Sequence, residues 1–418
     1  MKKAIADWIG SQLGFSERIK EVANHYLLSL MLPAAHHSQS NAAELSEIDK
    51  SQFSRFLKKH PKLAKAKHTE LVEKTLRSEA EQMQKTPFLI PGTLWKIFLI
   101  IDSSLHRRSS QHTQNAQKFN HGTGWVIGHQ WTNALIVIGN RTIPLPPIAF
   151  HTKKECRRLG VDYQTEHEKI TAFLESIDLE KYLGLFDPTS LVVLMDSGYD
   201  NKKIQDIILR RRWDFVCAIK SNRSVRSTKE FKKESEGWHL VSAIFKYARK
   251  QTPWQTVCDY TKTAGTKKKR MDFRARLWIG HLRGIRKPIA IICSEKTNGE
   301  RRYLACSNLK VSLGAIIRTY RRRWLIELFH KDIKSHLGMQ HAGVKNFDSL
   351  VSHVHWVYVA YLLLKEKGAD SSIKSQQLKL KNEMKANKLN EYIRISTQFD
   401  GDLALRREFK KEREKIAA

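Results

Sequence analysis

Acidic residues are the scarce class in this chain. Its 418 residues carry 42 Asp and Glu against 74 Lys and Arg, a formal charge of +32. That imbalance implies a polyanionic partner, nucleic acid being the commonest. Cysteine is also sparse. Cys156, Cys217, Cys258, Cys293 and Cys306 are scattered and form no C-x2-C pair, which argues against a zinc ribbon and a disulfide framework. Cys217 and Cys293 lie in apolar runs and read as small core residues. Long apolar runs are missing. Val354 to Leu364 is the longest, is interrupted by His355, and is too short to span a bilayer, so it reads as a buried helix and no membrane partner is expected. The chain opens Met-Lys-Lys-Ala but places Asp7, Ser11 and Gln12 where a signal peptide needs an apolar run, so a cytoplasmic location is expected. Histidine is plentiful, yet no Gly-x-Ser-x-Gly elbow supports Ser-His-Asp hydrolysis.

The length allows two or three domains. Residues 1–90 are helical and basic. Asn41 to Ile48 predicts one short helix and Ser51 to Lys59 a second, ended by Pro61. The second sets Gln52, Arg55, Lys58 and Lys59 beside Phe53, Phe56 and Leu57. The pair resembles a helix-turn-helix, as does any small helical hairpin with a basic face.

From Leu94 the pattern turns to strands. Trp95 to Asp102 is an apolar run with a carboxylate at its end, the pattern of a buried strand. Asp102 then stands where open α/β sheets place their ligands. His129–Gly139 and Arg141–His151 predict two more strands joined at Gly139-Asn140. Pro144, Pro146 and Pro147 confine the latter to a sheet edge. A helix follows over Gln164 to Leu183, and Ser190 to Asp196 is a second buried strand ending in Asp. Gly198 lets the backbone turn close to whatever Asp196 binds. Asp200 is expected to cap a helix over Asn201 to Arg212, and Trp213 to Lys220 predicts the fifth strand.

Between Ser221 and Ser307 the alternation persists, with strands predicted at Trp238–Ala248, Gln255–Thr261, Met271–Gly280, Pro288–Ser294 and Arg302–Cys306. Thr266 to Arg270 is a strongly basic loop, solvated by its pattern and suited to phosphates by its charge. After Lys365 come repeated lysines, then a charged helix over Leu403 to Ile416.

One stretch gathers the chemistry. Tyr320 to Lys334 contains no Pro or Gly and predicts a single long helix. At about 100° per residue, Tyr320, Arg323, Glu327 and Lys334 share one side, within about 60° of arc, and Lys331 lies on the same face. Leu325, Phe329 and Ile333 fall opposite. By itself such a face is also what a solvated helix with i,i+4 pairs looks like. Two aspartates at strand ends, followed by a glutamate among cations, favour a metal-dependent phosphoryl-transfer site.

Tyr320-x2-Arg323-x3-Glu327-x6-Lys334 resembles the YREK signature of bacterial insertion-sequence transposases of the DDE type, family four and its near relatives. Asp196-x-Gly198-Tyr199 resembles that family's second-aspartate motif, and Leu337-Gly338 its way of leaving the glutamate helix. The resemblance covers roughly residues 91–365. It implies an α/β, ribonuclease-H-like mixed sheet of five strands, with the third at the edge. A β-rich insertion would interrupt the sheet, an α-helical domain would precede it and a helical tail would follow. The implied divisions are 1–90 for DNA binding, 91–221 and 308–365 for the catalytic domain, 222–307 for the insertion and 366–418 for a basic helical region. Asp102, Asp196 and Glu327 would be the catalytic residues and hold two Mg²⁺, with Mn²⁺ a substitute. Tyr320, Arg323, Lys331 and Lys334 would grip DNA. Tyr303, or alternatively Trp278, would hold a flipped base where the family uses tryptophan. The expected activity is cleavage of transposon ends, through a DNA hairpin, and strand transfer to target DNA by a homodimer on double-stranded DNA. The alternatives are a nuclease without strand transfer and a non-catalytic DNA-binding descendant.

Overall fold

The computed structural model describes residues 15–83, 93–108, 113–122, 124–184, 186–227, 237–247, 252–262, 268–296, 299–366, 368 and 371–398. The predicted Leu403–Ile416 helix and the start of the Thr266–Arg270 run lie outside these residues. The chain divides into two compact units, residues 1–68 with 331–418, and residues 69–330.

The first unit is helical. It holds α1 (Glu17–Met31), α2 (Gln39–Glu44), α3 (Lys50–Lys59) and the start of α4 (Pro61–Met83). Asp49 caps α3 by accepting the Ser51 N–H at 2.9 Å. Phe53, Phe56 and Leu57 are buried on α3 while Arg55, Lys58 and Lys59 are exposed, the division its pattern predicts. Pro61 opens α4 instead of merely ending α3. Its missing N–H costs nothing in a first helical turn.

The second unit is built on a 13-stranded sheet, ordered β2-β3-β1-β6-β7-β13-β12-β11-β8-β9, with β4 and β5 on β3 and β10 on β11. The strands are β1 (Ile97–Arg107), β2 (Gln117–His121), β3 (Gly124–Ile138), β4 (Arg141–Pro144), β5 (Ile148–Ala149), β6 (Leu191–Met195), β7 (Asp214–Ile219), β8 (Ser224–Ser227), β9 (His239–Leu240), β10 (Gln255–Lys262), β11 (Lys268–Leu282), β12 (Ile289–Glu295) and β13 (Arg301–Cys306). β1, β6 and β7 run parallel, and Ile97–Ile101 and Leu191–Met195 are buried throughout. This is the mixed α/β class expected, with differences of detail. β4 and β5 pair with β3 alone, as the prolines require, but Leu145 to Pro147 divides the single predicted strand in two. β3 starts earlier than predicted because β2 folds back on it. Residues 222–307, the predicted insertion, end in a strand of the same sheet: β13 pairs directly with β7. Within the predicted Trp238–Ala248 strand, Val241–Tyr247 is instead helical.

The remaining helices are α5 (Lys153–Leu159), α6 (Glu166–Ser176), α7 (Glu180–Leu183), α8 (Lys202–Arg210), α9 (Val241–Tyr247), α10 (Leu313–Arg321), α11 (Trp324–Ser335), α12 (Phe347–Glu366) and α13 (Ile373–Gln398). The predicted Gln164–Leu183 helix is split into α6 and α7, because Ile177 is extended and Asp178 accepts the Lys181 N–H to begin a new turn. Asn201, not Asp200, caps α8. Asp200 instead pairs with Arg223 at 3.2 Å.

α12 and α13 complete the helical unit. α12 is long and apolar enough to cross a bilayer by length and composition, since it begins before Val354, but 83% of that window is buried in the protein. On α12, His353 meets the Tyr26 hydroxyl of α1 at 2.7 Å and Trp356 packs its ring 5.9 Å from Phe56 of α3. Past α11, Gly338 adopts φ +69, and a Cβ there would lie 2.3 Å from the His37 Cβ. Gly338→Ala is therefore expected to cost at least about 1–2 kcal/mol from the left-handed backbone alone. A thermal midpoint equal to that of the parent would show that the turn relaxes freely.

Candidate active site

Asp102 and Asp196 are brought to one level by the parallel pairing of β1 with β6. The last parallel partners are Ile101 and Met195, so each aspartate is the residue that follows that pair in its chain segment. Asp102 does not end β1, however. The strand runs on to Arg107, paired with β3 alone, and Asp102 lies opposite Asn133 in that register. Asp196 leaves β6 and turns back on itself, its Oδ1 accepting the Gly198 N–H at 2.7 Å. A Cβ on Gly198 would lie 3.0 Å from that oxygen, so glycine serves here by its small size. Beneath the turn, the buried Tyr199 hydroxyl donates to Glu166 at 2.8 Å. Glu166 also accepts from Thr132 at 3.0 Å and Gln130 at 2.6 Å, tying α6 to β3.

The glutamate arrives differently from expectation. Tyr320 to Lys334 is not one helix: α10 ends at Arg321 and α11 begins at Trp324. Across the break, the N–H groups of Arg322 and Arg323 donate to Thr319 and Tyr320 at 3.0 and 2.9 Å, three residues back instead of four. Arginine side chains anchor this tight turn to the sheet. Arg322 stacks on Phe98 of β1 with 4.7 Å to the ring centroid and donates to the Gly139 carbonyl at 3.2 Å. Arg323 donates to Asp102 Oδ2 at 3.2 Å and to Glu327 Oε1 at 3.1 Å, drawing the two acids together.

Burial pushes the Asp102 carboxyl up to about 7; Arg323 opposes that shift, while Asp196 and Glu327 reinforce it. Asp102 thus senses two acids far from it in sequence, with one guanidinium between it and Glu327. Burial also raises the Tyr320 hydroxyl to about 12 against the pull of Arg323. Burial disfavours the Arg323 charge, but Tyr320, Asp102 and Glu327 outweigh it and raise its pKa.

A cavity of about 340 Å³ adjoins Asp196, lined also by Tyr320, Tyr303, Arg301 and Arg302. Tyr303 faces this cavity but is only 7% exposed, its ring 5.9 Å from Phe245, and Trp278 is similarly buried. Lys331 and Lys334 lie on the later part of α11, Lys331 exposed and Lys334 half-buried.

Two residues of the site escape sequence reasoning. His330, one turn beyond Glu327, brings a ring nitrogen within 4.8 Å of carboxylate oxygens of both Asp102 and Glu327. Asn133 lies 2.8 Å from His330 Nε2 through its side-chain amide. The Glu327-x2-His330 spacing is a readable signal, since residues three apart share a helix face. Among the described residues, Asp102, Glu327 and His330 form the group whose ligand atoms lie close enough to share a divalent cation, and Asp196 is outside that group.

Residues 96–363 match the family model described as transposase DDE domain, a span that includes Asp102, Asp196 and Glu327. No curated protein matches the chain in sequence. Among solved structures, the chain is similar to a piggyBac transposase in a cryo-EM synaptic complex with hairpin DNA. Identity is 11% over 99% of this chain and 82% of that one, with a TM-score of 0.47, too distant a likeness to bear on function.

Proposed function

The chain belongs to the transposase DDE domain family, and on that premise we propose that it cuts transposon ends and joins them to target DNA. Asp102, Asp196 and Glu327 are the metal-holding catalytic residues of this reading, on a ribonuclease-H-like core. What supports it is placement: Asp102 and Asp196 each follow the last parallel pair of β1 and β6, and Arg323 bonds both Asp102 and Glu327. Two divalent cations held by these carboxylates would activate a water or 3′-hydroxyl and stabilise the leaving oxygen. The chain supplies no nucleophile of its own, because the attacking oxygen belongs to water or DNA. Arg323 and Tyr320 present donors beside the acids, where a scissile phosphate would come to rest. Lys331 and Lys334 extend cationic contact along α11 as point charges. Cleavage passes through a hairpin and the working form is a homodimer on paired ends, both by resemblance to the insertion-sequence relatives.

The test is a strand-transfer assay with pre-cut ends and Mg²⁺ or Mn²⁺. Joined products are expected with the parent chain. Hydrolysis without joining would reduce the protein to a nuclease, and no metal-dependent nicking of a cognate end would remove catalysis altogether. Lys334→Ala should weaken end binding and lower the slope of log K against log salt by about 0.9 for one lost phosphate contact. An unchanged slope takes Lys334 off the DNA.

A further inference from the structure

The DDE reading assigns carboxylates to the cation site and leaves His330 without a role. His330 is 7% exposed and follows Glu327 by one turn of α11, so both side chains leave the helix toward the same place. Its ring nitrogen, an Asp102 oxygen and a Glu327 oxygen lie within 4.8 Å of one another, and among the described residues this is the one such group of possible metal ligands. The ring is also held in place. Asn133, 1% exposed, is the cross-strand partner of Asp102 on β3, and its amide reaches His330 Nε2 at 2.8 Å. A metal-ligating histidine commonly has its second nitrogen fixed in this way by a polar neighbour.

Resting on the cation site proposed above, we propose that His330 is a nitrogen ligand of that site, coordinating through Nδ1, and that Asn133 is the positioning residue that fixes its ring. The atom placed 2.8 Å from Nε2 is Asn133 Nδ2; coordination through Nδ1 requires the amide flipped end for end, so that its oxygen accepts from Nε2–H and Nδ1 carries the lone pair. One neutral imidazole among anionic oxygens adds no charge. It tilts the site from Mg²⁺, which prefers oxygen, toward Mn²⁺ and later transition metals, which accept imidazole.

The experiment is pulsed electron paramagnetic resonance of Mn²⁺ bound to the full chain, prepared unlabelled and with ¹⁵N-histidine. The unlabelled protein should show ¹⁴N modulation at the Mn²⁺, replaced by the ¹⁵N pattern in the labelled protein. His330→Gln should abolish the modulation, weaken Mn²⁺ binding, and lower the Mn²⁺ to Mg²⁺ affinity ratio. Asn133→Ser should weaken the coupling without removing the carboxylates. Bound Mn²⁺ with no histidine nitrogen coupling in the parent, or coupling that persists in His330→Gln, overturns the assignment and leaves the carboxylate site standing. Failure of the parent to bind Mn²⁺ removes the cation site and this inference together. Should the Gln variant not fold, His330→Asn takes its place, and the same loss of nitrogen coupling is required of it.

Discussion

Glu327→Gln is expected to reduce strand cleavage by on the order of 10³-fold while leaving binding of a transposon end intact or slightly tighter. Holding a catalytic cation is worth several kcal/mol of transition-state stabilisation, and each 1.36 kcal/mol is tenfold in rate. The amide keeps the side chain's shape but loses the charge that the proposed cation site requires. Stability cannot account for a loss of that size. The Glu327 side chain is 36% exposed, so parting it from Arg323 costs at most about 1 kcal/mol. Removing a negative charge beside DNA does not subtract a phosphate contact, which is why affinity should hold. Cleavage assays and a binding isotherm on the same duplex separate the cases. Parallel loss of binding and cleavage, with a lowered thermal midpoint, would make Glu327 a structural residue.

Acid should destabilise the helical unit well before carboxylates titrate. Burial holds the His355 imidazole well below its ordinary pKa, with His68 and Lys65 adding repulsion. His68 and His355 face each other through Nδ1 atoms 2.9 Å apart. Burial likewise depresses His37, beside His336 and His36, and His341, beside His36 and His37. Each group is more readily protonated in the unfolded chain than in the folded one. Their contribution is therefore present above the unfolded value of about 6.5 and is lost as pH falls toward the lower folded values. A tenfold difference in proton affinity between the folded and unfolded chain corresponds to about 1.4 kcal/mol, or roughly 3–6 °C in a domain of this size. Calorimetry at about pH 5 and pH 7.5 should show the helical unit melting lower in acid, with a smaller difference in His355→Gln. Equal midpoints at the two pH values would contradict the burial argument.

What the sequence made legible follows from how locally each feature is encoded. The strands bearing Asp102 and Asp196 could be read because unbroken apolar runs have few alternatives to burial. Arg323 and Glu327 could be paired because helical periodicity is a short-range property. The break at Arg322 could not, since no Pro or Gly marks it; its anchors, Phe98 and the Gly139 carbonyl, are more than 180 residues away. Asn133 was hidden for a related reason. Only the register of β1 against β3 sets it opposite Asp102, and register is fixed by contacts that no single segment contains. The capping error at Asp200 has the same origin, for its carboxylate was claimed by Arg223, a residue from beyond β7.

The ladder joining β13 to β7 has a consequence for anyone wishing to trim this protein. Tyr303 to Cys306 occupy the flank of β7 opposite β6, so excising the insertion through β13 would strip a central strand of its neighbour. The shortened chain would carry a bare row of amides and carbonyls, the kind of border on which proteins stack into aggregates. A deletion that retains Arg301–Cys306 and closes the gap before it keeps β7 covered but moves the open border out to β13, whose far side is paired with β12 in the intact chain.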